Sequence, residues 1–583
     1  MALPTASTHS SKETNHLDSI LEDGKLEKTF LDFSGKTTAH GCGQIAKAKY
    51  KILKLIWMVI FFGALSFATY SSGIMFMKYY KYPTKDVVSL TYDDLEFPSV
   101  TFCNLQPFAL SSTITFSPDD ILGPNNTLTA LLQFMFNVRS IFINPNKLGL
   151  GDMFQRYLNR IISYQFVYEN VNAYETEPYV HDLKNFLIGC TFKGEQCNRS
   201  MFVLQKDSHY HNCYTFNGIG SNNFNKNVSK TDPGSGLSLV VFTDTYTDTL
   251  TSDPGVIYNP SDPTSGNNGI RVIVHSPKTR PAPVDKGFDV PNGFSTTVAL
   301  RATRRTLLTE PHGDCTTDAS NKGTEYRYTT DICYEQCHQD IITQKCGCKS
   351  SHFIPPRNET GFQYCGKLNI TNLLSGDDTS KESILEDFTH LECEKSVIDT
   401  FWSNVTMVSK CNCRPPCNST YYIKTTSQAV WPNEFTQQSF YKTYVNITDS
   451  TARPNILFQG LTPKEIKDRG LIQKNFLRLN IYFEDLQVEE TSQEADYPIT
   501  QVISDIGGNM GFYVGVSVIT LVEFLSLIGA LLLIFFKSCI KAGGKLREAK
   551  VSDVNIQPAH SLENKLGAQY TYEYKSYNDM ISR

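Results

Sequence analysis

SDIGGNMGFYVGVSVITLVEFLSLIGALLLIFF, residues Ser504 to Phe536, is the stretch on which the reading of this chain turns. From Ile506 to Phe536 its only charged side chain is Glu523, and at 1.5 Å per residue the run extends about 46 Å, against about 30 Å of bilayer hydrocarbon. A plain anchor needs neither that length nor glycine at Gly507, Gly508, Gly511 and Gly515. Nor does it need a carboxylate inside the apolar block, since an ionisable group in lipid is costly and normally faces protein or a water-filled path. The stretch reads as a pore-lining helix over 505–536; a single span with interface glycines and a tolerated Glu satisfies hydropathy equally well.

A second apolar run, Leu55 to Met77, carries no acidic or basic residue and spans about 34 Å as helix. Two spans are therefore expected, 55–77 and 505–536, with a cytoplasmic N-terminal region (1–54), an extracellular segment (78–504) and a cytoplasmic tail (537–583). A mostly polar segment of 54 residues precedes the first span, which is unlike a removed signal peptide. Lys47, Lys49, Lys51 and Lys54 before the first span, and Lys537, Lys541, Lys545, Arg547 and Lys550 after the second, place both tails on the cytoplasmic side of the plasma membrane; Lys78, Lys81 and Lys85 weaken that signal. Glycosylation sequons strengthen it. They start at Asn125, Asn198, Asn227, Asn358, Asn369, Asn404, Asn418 and Asn446, all between the spans, as expected of a segment facing the secretory lumen.

Fourteen of the sixteen cysteines, Cys103 to Cys417, share that segment, while Cys42 and Cys539 sit singly at the cytoplasmic ends. An even number in an oxidising compartment predicts seven disulfides. Spacing alone leaves on the order of 10⁵ pairings. Metal ligation by Cys346-Gly-Cys348 and Cys411-Asn-Cys413 is the rival reading. The net charge of −5 on 583 residues gives no reason to expect a nucleic-acid partner. No nucleophile, metal or phosphate-binding signature of an enzyme stands out, and no metal or cofactor is expected.

Along the chain, a short amphipathic stretch near Leu17 to Phe33 precedes His40-Gly41-Cys42-Gly43. Phe97 to Asn104, FPSVTFCN, alternates like a strand. Helical spacing governs 117–190, through GDMFQRYLNRII and PYVHDLKNFLIGC. This helical subdomain is dense in aromatics, Phe134, Phe136 and Phe186 among them, interleaved with carboxylates such as Asp182. Such a mixture suits a cationic, aromatic peptide, and equally suits a core with a solvated face. GLSLVVF, GIRVIVH and FSTTVALR read as strands. Residues 315–417 form a disulfide-stapled module with a helical insert near Asp377 to Glu394. STYYIKTTS returns as a strand, WPNEFTQQSFYKTY and PKEIKDRGLI read as helices, and NFLRLNIYFEDLQV as one long strand back to the membrane. Glu484, Asp485, Glu489, Glu490, Glu494 and Asp496 follow, with Asp505 at the mouth of the second span; in an oligomer such carboxylates would concentrate cations.

His40-Gly41, FPSVTFCN, the block ending Cys411-Asn-Cys413-Arg-Pro-Pro-Cys417, Trp431-Pro432, LRLNIYFEDL and DIGGNMGFYVGVS together resemble the degenerin, epithelial sodium channel and acid-sensing channel superfamily, from His40 to about Cys539. Within it, NCYTFNG (212–218), GLSLVV, GIRVIVHSP, PVDKGFDVPNGFS and CGCKSS are most similar to the invertebrate FMRFamide-gated sodium channels. The resemblance implies an α+β membrane protein assembled as a homotrimer, each subunit with two transmembrane helices and a large disulfide-rich ectodomain: a β core, a helical finger (about 117–190), a thumb (315–417) and a knuckle. It implies a selectivity filter at Gly515-Val516-Ser517, a gate at Ser504, with Asp505, Gly511 and Glu523 along the pore, and a gating motif at His40-Gly41. Ser526 stands where acid-sensing members carry an aspartate, leaving Glu523 as the main charge below the filter, and His312 replaces their tryptophan at the base of the thumb.

The implied disulfides are Cys103 with Cys213, Cys190 with Cys197, Cys315 with Cys417, Cys333 with Cys413, Cys337 with Cys411, Cys346 with Cys393, and Cys348 with Cys365. The implied function is a sodium-selective channel gated by an amidated neuropeptide, blocked by amiloride-type compounds, embedded in membrane lipid and passing sodium. Phe134, Phe136, Asp182 and Phe186 are the candidate peptide contacts. An acid-sensing channel is the alternative within the superfamily. A two-span glycosylated receptor or lipid-handling protein without a pore, as in class B scavenger receptors, is the alternative outside it.

Overall fold

The computed structural model describes residues 25–114, 156–157, 159–161, 163–222, 226–247, 266–317, 325–356, 361–369, 381–445 and 452–551. They form two compact units, Tyr82–Asp496 and one built from the two ends of the chain, Met1–Lys81 with Tyr497–Arg583. Phe134, Phe136, Asn125, Asn358 and Asn446 lie outside the described residues.

The Tyr82–Asp496 unit is built on β1 (Thr84–Tyr92), β2 (Leu95–Glu96), β3 (Ser99–Asn104), β4 (Leu187–Phe192), β5 (Glu195–Gln196), β6 (Phe202–Asp207), β7 (His211–Phe216), β8 (Asn227–Val228), β9 (Leu237–Phe242), β10 (Gly269–His275), β11 (Phe288–Pro291), β12 (Phe294–Thr306), β13 (Asn418–Val430), β14 (Phe476–Phe483) and β15 (Gln487–Ala495). One mixed sheet runs β1-β15-β12-β14-β9-β4-β5 with β13 also paired to β12; a second runs β11-β10-β3-β7-β6. Phe97, Phe102, Phe216, Phe483, Leu239 and Val298 are fully buried in one apolar cluster. Each such side chain contributes about 1.5–3 kcal/mol of burial free energy. The Phe97 ring meets those of Phe192, Phe216 and Phe483 edge-on at 5.2–6.0 Å, a favoured aromatic geometry.

Two segments differ from their sequence reading, while FPSVTFCN forms the expected strand, β3, which is buried throughout. Its polar side chains find partners indoors: Ser99 Oγ donates to the Asn217 carbonyl at 2.7 Å, Thr101 Oγ1 meets Thr215 Oγ1 at 2.7 Å, and Asn104 Nδ2 donates to the Thr243 carbonyl at 2.8 Å. NFLRLNIYFEDLQV is two strands, both lying parallel along β12. The break falls at Glu484–Leu486, where Asp485 Oδ1 accepts from the Gln487 N–H at 2.9 Å and so offers the backbone a turn. PYVHDLKNFLIGC holds only a four-residue helix, Leu183–Phe186; Leu187–Phe192 is β4, drawn into the sheet by pairing with β9.

Helices Thr330–Cys346 and Lys381–Phe401 lie in the cysteine-rich module. The first is capped by the Thr329 side chain, which accepts from Ile332 N–H, and ended by left-handed Gly347. Seven disulfides are present: Cys103–Cys213, Cys190–Cys197, Cys315–Cys417, Cys333–Cys413, Cys337–Cys411, Cys346–Cys393 and Cys348–Cys365. Cys346, Cys348, Cys411 and Cys413 are thus bridged sulfurs, which displaces the metal reading. In this unit His312 packs its ring edge-on against Tyr82 at 5.1 Å.

The other unit contains helices Lys25–Lys36, Cys42–Lys47, Lys51–Tyr79, Ile499–Val514 and Val518–Val551. Lys51–Tyr79 and Val518–Phe536 are long and apolar enough to cross a membrane. The single helix read over 505–536 is instead two, beginning at Ile499 and interrupted at Gly515-Val516-Ser517. Phe67 and Tyr513 pack edge-on at 4.9 Å, and Asn509 Nδ2 donates to Ser71 Oγ at 3.0 Å, joining Ile499–Val514 to Lys51–Tyr79.

Candidate functional site

The interruption at 515–517 has a local cause. Gly515 takes φ +69°, ψ 25°, the left-handed conformation that ends a helix at low cost only in glycine. Its N–H bonds the Gly511 carbonyl at 3.0 Å and the Val516 N–H bonds the Met510 carbonyl at 3.2 Å, closing the last turn. The next helix starts with reciprocal capping: Thr520 N–H donates to Ser517 Oγ at 3.3 Å and Ser517 N–H donates to Thr520 Oγ1 at 3.1 Å. Among the described residues, no backbone N–H donates to the carbonyls of Gly515 and Val516. Bared carbonyls at membrane depth are tolerated where they line water or are buried in protein, and they are suited to replacing the hydration shell of a small cation.

The chain before the first span folds onto this break. His40 N–H donates to the Val514 carbonyl at 2.9 Å. Its ring lies where a β-carbon on Gly515 would stand. Gly41 has φ +91°, and a β-carbon there would reach Phe61 Cδ2 at 3.0 Å, so this position also demands glycine. Glu523 Oε2 accepts from Thr37 Oγ1 and from Thr38 N–H, both at 2.9 Å, and from Thr38 Oγ1 at 3.3 Å. Thr38 Oγ1 meets Thr520 Oγ1 at 2.6 Å, and Thr520 Oγ1 meets Ser517 Oγ at 3.2 Å. A consistent proton order is Ser517 donating to Thr520, Thr520 to Thr38, and Thr38 to Glu523. Thr37, Thr38 and Thr520 belong to the site although sequence reading passed over them; hydroxyl residues are too common for their presence to signal a role. Glu523, expected as the main charge below the filter, is a hydrogen-bonded carboxylate here.

Toward the outer end, Asp505 accepts from Tyr497 OH at 2.7 Å and Gln501 Nε2 at 2.6 Å. Lys78 Nζ stands 4.5 Å over the Tyr497 ring. Ser504 is exposed, and Gly511 is half-buried beside Val516. Of the acidic residues beyond β14, Glu489, Glu490 and Glu494 lie on β15 and Glu484 in the turn before it; Glu484 is gripped by Arg301 at 3.1 and 3.2 Å, and Lys85 approaches Glu494 at 3.9 Å.

The candidate peptide contacts do not come together. Phe186 is 1% exposed and packs against Phe102 and Tyr214; it is a core residue, because β4 carries it into the sheet. Asp182 stays half-exposed, accepts from Asn185 Nδ2 at 2.8 Å and faces Arg453 at 3.9 Å. Nearby, a cavity of about 930 Å³ is lined by Tyr168, Glu175, Lys206, Lys349, Tyr364 and Lys367. Deeper still, Arg160 bonds Glu169 and lies 3.7 Å from Glu394. Burial pushes Glu169 up to about 7, Arg160 opposing and Glu394 adding to the rise; burial also raises Glu394. Of the sequon asparagines, Asn198, Asn227, Asn369, Asn404 and Asn418 are exposed.

A family model described as "Amiloride-sensitive sodium channel" matches residues 33–527. The chain is 30% identical to the FMRFamide-activated amiloride-sensitive sodium channel of Cornu aspersum, over 87% of this chain and 84% of that one. It is 25% identical to acid-sensing ion channel 1 of Gallus gallus, over 84% and 82% of the two chains. With the epithelial sodium channel subunit alpha of Xenopus laevis it shares 24% identity, over 89% and 84%.

Proposed function

This chain belongs to the amiloride-sensitive sodium channel family, and on that footing we propose that three copies surround one sodium-selective pore opened by an amidated neuropeptide. Its relatives are ion channels, in keeping with the absence of enzyme-like motifs. The observation that carries the pore is the paired helix end and helix start at Gly515 and Ser517, which leaves the Gly515 and Val516 carbonyls without backbone donors among the described residues. Three such sets, with the Ser517 hydroxyls, supply the oxygens that replace part of a sodium ion's water. Amiloride-type blockers and membrane lipid are the other expected partners, and both termini face the cytoplasm.

Peptide gating is supported by the similarity to the FMRFamide-activated channel over most of both chains. The ligand contributes only its preference for the open state. Acid gating has one observation in its favour, the buried Glu169–Arg160–Glu394 cluster with Glu169 pushed up to about 7. The buried histidines do not add to it: burial holds His181 down to about 3 and His211 and His275 down to about 4, so all three stay neutral through the mildly acid range.

The deciding experiment is whole-cell recording from this chain expressed alone, with amidated peptides ending in an arginine-aromatic pair and, separately, acid. Sodium current to peptide supports the proposal. Current to acid and none to any such peptide moves the chain to the acid-sensing branch.

A further inference from the structure

At the end of helix Lys381–Phe401 the chain reverses through Trp402 and Ser403 into helix Val405–Cys411. Phe401 is fully buried, while Trp402 is 64% exposed and Val405 79% exposed. Trp402 is nevertheless held in place from one side: Phe401 and Tyr334 meet it edge-on at 5.0 Å each, and His338 at 6.0 Å. A lone exposed tryptophan needs no explanation. A braced one, two residues before an exposed sequon asparagine, has a specific neighbour available.

That asparagine is Asn404, in Trp402-Ser403-Asn404-Val405-Thr406. Its backbone N–H bonds the carbonyls of Thr400 and Phe401 at 3.1 and 3.2 Å, fixing it against the helix end. Its Oδ1 caps the next helix, accepting from the N–H groups of Thr406 and Met407 at 3.1 and 3.2 Å. Among the described residues Nδ2 has no hydrogen-bond partner, so the cap leaves the reactive nitrogen in solvent. Attaching a sugar there keeps the cap, since Oδ1 is untouched.

We propose that Asn404 carries an N-linked glycan whose first N-acetylglucosamine lies on the open face of Trp402. In the transfer, Nδ2 forms a bond to C1 of the sugar, supplied by a polyprenyl-pyrophosphate-linked oligosaccharide. The C1–O bond to the pyrophosphate breaks, the pyrophosphate leaves with the electron pair, and Nδ2 loses one of its two protons. The sugar ring presents a face of C–H bonds and an acetyl methyl, which suits the flat apolar surface of an indole. The tether makes this contact nearly intramolecular, so little association entropy opposes it. The proposal rests on the reading that the Tyr82–Asp496 unit faces the secretory lumen.

The test uses the full chain made in eukaryotic cells, with glycopeptide mass spectrometry and hydroxyl-radical labelling of Trp402. Expected are an occupied Asn404 and weak labelling of Trp402. Trimming to the first N-acetylglucosamine with an endoglycosidase should leave that protection intact, and complete removal with a peptide-N-glycosidase should raise labelling several-fold. Thr406→Val, which abolishes the sequon but keeps the N–H of the cap, should match complete removal. An empty Asn404 beside occupied Asn198 and Asn418 overturns the proposal alone; no occupied sequon anywhere overturns the lumenal reading as well. Trp402 labelled equally with and without sugar overturns the stacking, as does equal protection in both, which would assign the covering to another protein surface.

Discussion

The imidazole of His40 occupies the space that a side chain at Gly515 would need: a β-carbon on Gly515 would stand 2.5 Å from Nδ1 and 2.7 Å from Cδ2. The segment before the first span therefore fits a glycine at the helix break and nothing larger. Gly515→Ala adds this clash to the roughly 1–2 kcal/mol that a left-handed conformation costs an L-residue. The expected outcome is loss of most current at unchanged surface expression, with partial recovery in His40→Gly/Gly515→Ala, where only the backbone cost remains. Surface biotinylation beside whole-cell recording checks it; equal loss in single and double variants would show that the ring is not the obstacle.

Thr38 ties the filter hydroxyls to Glu523, bonding Thr520 at 2.6 Å and the carboxylate through its backbone N–H at 2.9 Å. Thr38→Val keeps the shape and the N–H but removes the hydroxyl, leaving Thr520 Oγ1 with Ser517 alone. Hydrogen bonds to charged groups contribute about 1.5–3 kcal/mol. Reversal potentials under mixed sodium and potassium should shift toward lower sodium preference in Thr38→Val and stay near wild type in Thr38→Ser. Identical selectivity in both variants would remove Thr38 from any positioning role.

The bridges Cys315–Cys417 and Cys333–Cys413 are nested, so the outer one closes only the ring between the two, 18 residues on one side and 4 on the other. Its removal by paired serine substitution should cost about 3 kcal/mol, against about 4 when Cys333–Cys413 and Cys337–Cys411 are both absent and Cys346–Cys393 bounds the ring. Thermal unfolding of the detergent-purified channel, with and without both the Cys333–Cys413 and Cys337–Cys411 pairs, measures the difference. Equal losses in both backgrounds would contradict the nested accounting.

Glu169 gives the ectodomain a stability term with a definite sign. Burial raises its carboxyl to about 7 in the folded protein, whereas in the unfolded chain it returns to the ordinary range near 4.3. Between those values the native state binds the extra proton, so this contribution is complete at low pH and is lost as pH rises through about 7. The full effect is on the order of 3 kcal/mol. Glu169→Gln keeps the packing against Gly366 and removes the titration. Melting temperatures from pH 5 to 8 should fall more steeply in the wild type than in the variant, and parallel curves would assign the proton elsewhere.

Much of the architecture follows from one-dimensional pattern. Two apolar runs bracket every sequon and all but two cysteines, which orders the chain as span, ectodomain, span. The strands GLSLVVF, GIRVIVH and FSTTVALR are β9, β10 and β12, because a continuous β-branched run between turn residues has few other solutions. Gly515 and Ser517 could be marked as a weak point, since glycine ends helices and serine starts them.

Three-dimensional packing decided the rest. Phe186 and Asp182 sit four residues apart with similar sequence surroundings, yet one is core and the other surface, because β9 captures the chain at Leu187. The Thr38 N–H reaches Glu523 across 485 residues of sequence, and no periodicity of either segment announces it. Side-chain pattern reports how a residue relates to its own turn or strand. Which hydroxyl meets which carboxylate depends on where distant backbones come to rest, and that is set by the burial of the whole chain.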